Sequence, residues 1–280
     1  MKRVIAPNGV VYERSELIPC AHGFSTRLGG VSTLSHTATL NLGFDRGDDA
    51  ETVRCNLSRF AEAVGFDPTR LISVSQIHSA RVRYVTAEHA GEGIDRPTAE
   101  PCDGYVTDQP DVVVGIRTAD CVPILLYAPP QGAFGGAVAA VHAGWRGTAA
   151  GIVRVAVDRL CRLGAEPQTV RAAIGPSIGS CCYEVRQDFA DSFRAMAGDG
   201  LTERYVLPIP GQPGVYRSDL KGANQELLLS AGLLPENLDC SDSCTMCDPK
   251  TFFSHRVSGG LRGSLLSVIS TALPKFDESR

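Results

Sequence analysis

Three apolar runs, DVVVGI at 111–116, CVPILLY at 121–127 and GAVAAV at 136–141, follow one another with short interruptions. A strand with one wet face alternates apolar and polar side chains. These runs do not, so they predict strands buried on both faces, which other layers of the protein must cover. Pro123 lacks an amide hydrogen and places the middle run at an edge, or has it begin with an irregularity. Helical spacing appears between such runs. In 148–163, TAAGIVRVAVDRLCRL, the apolar residues Ile152, Val155, Ala156, Leu160 and Leu163 share one face, and Gly164 supplies a stop. Residues 219–231 read as a second helix with Asp219 as its cap and Gly232 at its end, and 50–64 and 186–197 follow the same pattern. The mixture predicts an α/β or α+β fold.

The Pro/Gly stretch LPIPGQPG at 207–214 is short and reads as a surface loop, not a linker, so a single domain over 1–280 is expected. There are 27 Lys and Arg against 31 Asp and Glu, a net charge of −4, with no basic block. That balance argues against nucleic acid as a partner while leaving room for a nucleotide-sized substrate. The N-terminus lacks an apolar leader, and no run approaches the ~18 apolar residues of a membrane span, so no membrane partner and a cytoplasmic location are expected. Ten cysteines without a secretion signal read as thiols or metal ligands.

Chemistry concentrates where strand-like segments end. AVAAVHAGWRGTAAGI delivers His142 into a glycine turn that carries the only tryptophan of the chain. His78 lies in SVSQIHSARVRYV and Cys121 in RTADCVPILLY. Two imidazoles and a thiolate suit Zn²⁺ and leave a fourth position open, as in a catalytic site. Each residue also has a plain reading: a hydrogen-bonded structural histidine, a small buried thiol, and for Asp120 a support for a ligand or a turn residue. The turns GWRGT and GPSIGS free backbone N–H groups toward an anion, with Arg27 and Arg146 as candidate clamps; glycines also serve merely to permit tight turns. Trp145 is expected to anchor its turn. Two further readings concern sulfur: Cys240, Cys244 and Cys247 with His255 invite a zinc site although a second C-x-x-C is missing, and Cys181 or Cys182 would be a nucleophile if a histidine stood beside it.

The motifs HGFSTRLGGVS, LNLGFDRGD, QIHSARV, CDGYVTD, RTADCVPILL, AVHAGWRGT, AAIGPSIGSCCYEV, DLKGAN and FFSHR occur in order across nearly the whole chain. In these the sequence resembles the YfiH/laccase-domain family of purine nucleoside phosphorylases, once described as multicopper polyphenol oxidases and related to peptidoglycan editing factors. The resemblance implies layered β-sheets flanked by helices, similar to the fold of CNF-type deamidating toxins. It implies one Zn²⁺ per chain on His78, Cys121 and His142, the catalytic residues, with copper disfavoured because three such ligands do not build a multicopper cluster. Arg27, Asn41, Arg146 and Ser177 are the candidate substrate-binding residues. The implied reaction is phosphorolysis of adenosine, inosine and 5′-methylthioadenosine with adenosine deamination beside it, on small nucleosides and phosphate, in a monomer or weak homo-oligomer. The alternatives are a peptidoglycan editing amidase acting on UDP-MurNAc-L-Ser, and a zinc-stabilised interaction module without enzymatic activity, for which a fourth ligand should close the site. Relatives commonly read GGxTGR after SHR; this chain reads GGLRGS, with Ser264 in place of the family arginine and Arg262 displaced by two.

Overall fold

The computed structural model describes residues 1–273. One six-stranded sheet contains β1 (Lys2–Ile5), β2 (Val11–Arg14), β3 (His22–Ser25), β4 (Leu71–Ile72), β7 (Val113–Thr118) and β15 (Leu265–Ser270), in the order β1-β2-β3-β15-β7-β4. A second contains β5 (Val82–Tyr84), β6 (Gly104–Thr107), β8 (Val122–Ala128), β9 (Ala137–Ala143), β10 (Arg171–Ile174) and β14 (Leu238–Cys240), ordered β14-β10-β8-β9-β6-β5. A small third sheet is formed by β11 (Glu184–Arg186), β12 (Val206–Pro208) and β13 (Val215–Ser218). The helices are α1 (Ala50–Val64), α2 (Trp145–Ala149), α3 (Ile152–Leu163), α4 (Gln187–Ala197), α5 (Asp199–Tyr205), α6 (Leu220–Ser230) and α7 (His255–Ser258).

The two large sheets pack on each other. Phe24, Ile72, Val114, Ile116 and Ile269 of the first meet Tyr105, Leu125, Val138, Ala140 and Ala173 of the second in one apolar cluster. The outer face of the second sheet, with Val122, Ile124, Leu126, Ala139 and Val141, is covered by Ile152, Val153, Ala156 and Leu160 of α3 and by Phe193 and Leu227. On the outer face of the first, Tyr12, Leu71 and Val268 bury against Leu57, Phe60 and Val64 of α1. The unbroken apolar runs follow from this layering, since each central strand has a sheet on one side and a helix on the other.

Asp49 and Asp219 cap α1 and α6 by accepting from the amides of Thr52 and Gly222. The helix expected over 148–163 is broken in two. It begins at Trp145, and Gly151, at φ +71, turns the chain before α3 starts. Pro123 is not on an edge, because β8 lies between β10 and β9. It is tolerated as the second residue of its strand, beyond the last β10 pair Ile174↔Ile124, where its carbonyl accepts from Gly175. The irregularity lies just before it, at Asp120, with φ +93.

Candidate active site

Strand alternation sets the site. Leu125 and the two residues Val138 and Ala140 face the apolar space between the sheets. By the same period of two, Cys121 and His142 fall on that inner face, at the rim where β8 begins and β9 ends. Asp103, one residue before β6, lies beside His142, whose amide donates to the Asp103 carbonyl at 2.7 Å. His78 arrives from the loop before β5 with φ +58, not from a strand end as expected. The donor atoms of His78, Cys121 and His142 lie within 4.8 Å of one another, with no fourth His, Cys, Asp or Glu in the group among the described residues. Gly144 allows this approach. A Cβ there would stand 3.0 Å from the His78 ring and 3.3 Å from the Cys121 sulfur.

One carboxylate orders two of the three donors. Asp103 is fully buried. Its Oδ1 stands 2.8 Å from His142 Nδ1 and accepts from the His78 amide at 2.9 Å, while Oδ2 accepts from the Ser79 amide and hydroxyl, both at 2.7 Å. With Nδ1 engaged, Nε2 of His142 is left for the site. Burial opposes the charge on Asp103, yet the bonds from His142 and Ser79 hold it down to about 2. Burial likewise pushes the Cys121 thiol up and His142 down, but each is overridden by its neighbours. The imidazoles bring Cys121 to about 6, and the Cys121 sulfur with Asp103 raises His142 to about 9. The neighbouring imidazoles thus favour the thiolate of Cys121, the form of a cysteine that binds metal.

The site opens on a cavity of about 440 Å³, whose lining includes Phe44, Arg46, Gln76, Arg117, Arg262 and Ser264 besides the three donors. That size suits a small ligand. Ser264 Oγ accepts from Arg46 Nε at 3.2 Å and from Arg262 at 3.0 Å, so two guanidiniums converge on this hydroxyl. Arg262 Nε is buried without a hydrogen-bond partner, and burial lowers this guanidinium to about 10. Arg117 is committed to the backbone, donating to the carbonyls of Leu42 and Ser73.

The family described as multi-copper polyphenol oxidoreductase laccase matches residues 21–272. The chain belongs to this family. Among members of this laccase-like family, it is 40% identical over 253 residues to purine nucleoside phosphorylase YlmD of Geobacillus stearothermophilus, covering 88% of each chain. It is 38% identical over 261 residues to a purine nucleoside phosphorylase of Deinococcus radiodurans, covering 93% of each, and 36% identical over 239 residues to an adenosine deaminase from an unknown prokaryotic organism, covering 84% of this chain and 88% of the other. Its fold superposes on the crystal structure of YlmD from Geobacillus stearothermophilus with a TM-score of 0.83 at 37% identity, covering 94% and 96% of the two chains. For the Bacillus licheniformis YfiH structure the TM-score is 0.81 at 34% identity, with 89% and 91% covered.

None of the four residues expected to bind substrate lines this cavity. Arg27 donates to the carbonyls of Ala38 and Pro249 and lies over the Phe253 ring. Asn41 is fully buried, its carbonyl oxygen accepting from Gly43 and Ser264 and its amide donating to Asp48. Arg146 is exposed and stacks on Trp145, and Trp145 packs on Phe189. Ser177 is buried and pairs through its backbone with Cys244 and Thr245. The cavity instead takes Arg46 from the motif that holds Asn41, and Arg117 from the motif that holds Cys121. Cys181 and Cys182 have sulfur neighbours, not a histidine, among their described hydrogen-bond partners. Cys244 and Cys247 group with them, and Cys240 and His255 fall outside the group. Among the described residues no helix is long and apolar enough to cross a membrane.

Proposed function

We propose that this chain is, as a single domain over 1–280, a zinc-dependent purine nucleoside phosphorylase acting on adenosine, inosine and 5′-methylthioadenosine, with hydrolytic deamination of adenosine as a companion activity. The observation that carries the reading is the meeting, in one nucleoside-sized cavity, of a three-donor cluster and two converging arginines. Names of relatives support it, because both activities occur among similar chains. His78, Cys121 and His142 would hold the zinc: two nitrogens and a thiolate fit it, and Asp103 already fixes the tautomer-determining side of His142. When bound, the ion supplies a Lewis acid that polarises a substrate oxygen or activates water.

The remaining work falls to the chain. Arg46 and Arg262, both in the cavity wall, would present N–H donors to phosphate. Holding phosphate against the ribose makes attack at C1′ effectively unimolecular. Phe44, in the cavity wall, offers an aromatic face to the purine. Incubating zinc-loaded protein with adenosine tests the reading. Adenine and ribose 1-phosphate should appear only with phosphate present, and inosine with or without it. Absence of all three products would reject the proposal, and turnover of UDP-MurNAc-L-Ser alone, run alongside, would replace it with the amidase.

A further inference from the structure

Outside this site, two loops carry a second set of soft donors. The loop after β10 brings Cys181 and Cys182, and the loop after β14 brings Cys244 and Cys247. Their strands are parallel neighbours, and the pairing continues into the loops: Ser177 bridges Cys244, and the Thr245 amide donates to the Ser177 carbonyl at 3.1 Å. The four sulfurs all lie within 4.8 Å of one another. Resolved pairs are Cys181–Cys182 at 3.7 Å, Cys181–Cys247 at 3.5 Å and Cys182–Cys247 at 3.3 Å. A disulfide holds its sulfurs at about 2.05 Å. Four thiolates about 2.3 Å from one zinc stand about 3.8 Å apart along the edges of the tetrahedron. The observed arrangement is of the second kind, four mutual neighbours and not two bonded pairs.

The backbone is shaped to the sulfurs as well. The Gly179 amide donates to Cys244 Sγ at 3.2 Å. A Cβ on Gly179 would press to 3.2 Å from Cys181 Sγ and 3.6 Å from Cys244 Sγ, so a residue without one permits this approach. Arg217 donates to the Cys181 carbonyl and sets a cation beside the group. Lys221 holds the second loop at its base through the carbonyls of Ser241 and Ser243, at 2.7 and 2.8 Å.

We propose that Cys181, Cys182, Cys244 and Cys247 form a closed tetrathiolate site for a second zinc ion, which cross-links the two loops. Each thiol releases its proton to solvent on coordination, and the resulting four-thiolate zinc carries two negative charges, offset in part by the Gly179 amide and Arg217. With four protein donors the ion has no open position, so its role is structural. The same loops grip Asp120: Thr245 Oγ1 donates to its Oδ1 at 2.6 Å, the Ile178 amide to its carbonyl at 2.9 Å. Asp120 makes the left-handed turn into Cys121. The second zinc therefore braces the turn that presents Cys121 to the cavity.

Metal content tests this without reference to nucleoside turnover, so its outcome stands apart from that of the proposed reaction. Purified full-length protein, grown with zinc and measured by mass spectrometry of the metal, should hold two zinc ions per chain. The Cys182→Ser/Cys247→Ser variant should hold one, with a Tm lower by about 5 °C or more. The His78→Ala/His142→Ala variant keeps all four cysteines and should also hold one. Cobalt(II) added to that second variant after metal removal should give the strong visible and near-ultraviolet bands of a tetrathiolate, which does not depend on the cysteine variant folding. A wild type with one zinc that the cysteine variant retains overturns the proposal. So does iron in place of zinc, or an intact mass two hydrogens low with a Cys182–Cys247 disulfide.

Discussion

Cys121 and His142 stand where strands of one buried sheet begin and end, His78 joins them from the loop before β5, and a buried carboxylate, Asp103, supports the two histidines. Cys181, Cys182, Cys244 and Cys247 stand on two loops, with Cys181 and Cys247 exposed, and are supported by a backbone amide. The first set has three donors of two kinds and opens on a cavity; the second has four of one kind, and none lines that cavity. A three-donor set leaves a position for a reacting atom, and a four-donor set fills its own. On the two proposals the same element, cysteine sulfur, would serve reaction in one place and tethering in the other, according to how many partners the fold brings to it.

The largest effect that bears on this contrast comes from the carboxylate. Asp103→Asn removes the charge beside His142 and turns one of the two acceptor oxygens that hold His142, His78 and Ser79 into an NH2 donor. It should weaken zinc at the triad about 10- to 100-fold, by chelator competition, and leave the four-cysteine site unchanged. Equal weakening at both sites would break the contrast. Next is Arg262→Ala, which removes a charge-assisted donor from the cavity. The KM for phosphate in phosphorolysis should rise about tenfold while adenosine deamination, which uses no phosphate, holds its rate. Equal losses in both reactions would make Arg262 a support of the cavity wall.

The smallest effect separates both clusters from the fold's own response to acid. His22 is buried, and burial lowers it from 6.5 to about 4, with its ring bonded to the Cys20 carbonyl and the Ser15 amide. The unfolded chain takes up a proton at this residue below about pH 6.5 and the folded chain does not, so stability present above that pH is lost as pH falls toward 4. Between pH 6.5 and 5.5 the loss is about 1 kcal/mol. Urea unfolding of metal-free protein should show this slope, and His22→Gln should flatten it. An unchanged slope would assign the acid sensitivity elsewhere.

Apolar runs and the Asp219 cap were legible in the chain because each is a local signal, whereas His78, Cys121 and His142, far apart in sequence, were joined into one set by the family resemblance. The layering was only half legible. An unbroken run such as 122–126 says that both faces are covered but not that a second sheet covers one of them. Asp103 was passed over within CDGYVTD because its work is done on His78 and His142, 25 and 39 residues away. Arg46 escaped for a similar reason, since it and Ser264, whose hydroxyl it meets, are 218 residues apart; Arg262 was noticed as a displaced arginine, without a role. Arg27 and Arg146 attracted notice through their glycine-rich motifs, yet Arg27 is held by two backbone carbonyls and Arg146 lies exposed over Trp145. The four-cysteine set was split between two unrelated readings, because only the pairing of β10 with β14 makes neighbours of Cys181 and Cys247.

The parallel pairing of β10 and β14 carries an architectural consequence. Parallel neighbours cannot be joined by a hairpin, so the chain must leave the sheet after Ile174 and return at Leu238. On that excursion it builds α4, α5, α6 and the whole third sheet. Both roots of the appendage sit side by side, and the cavity takes none of its lining from it. The excursion is thus tied down at its first root, where Cys181 and Cys182 reach the loop of Cys244 and Cys247, and its helices and third sheet stand clear of the cavity beyond that point.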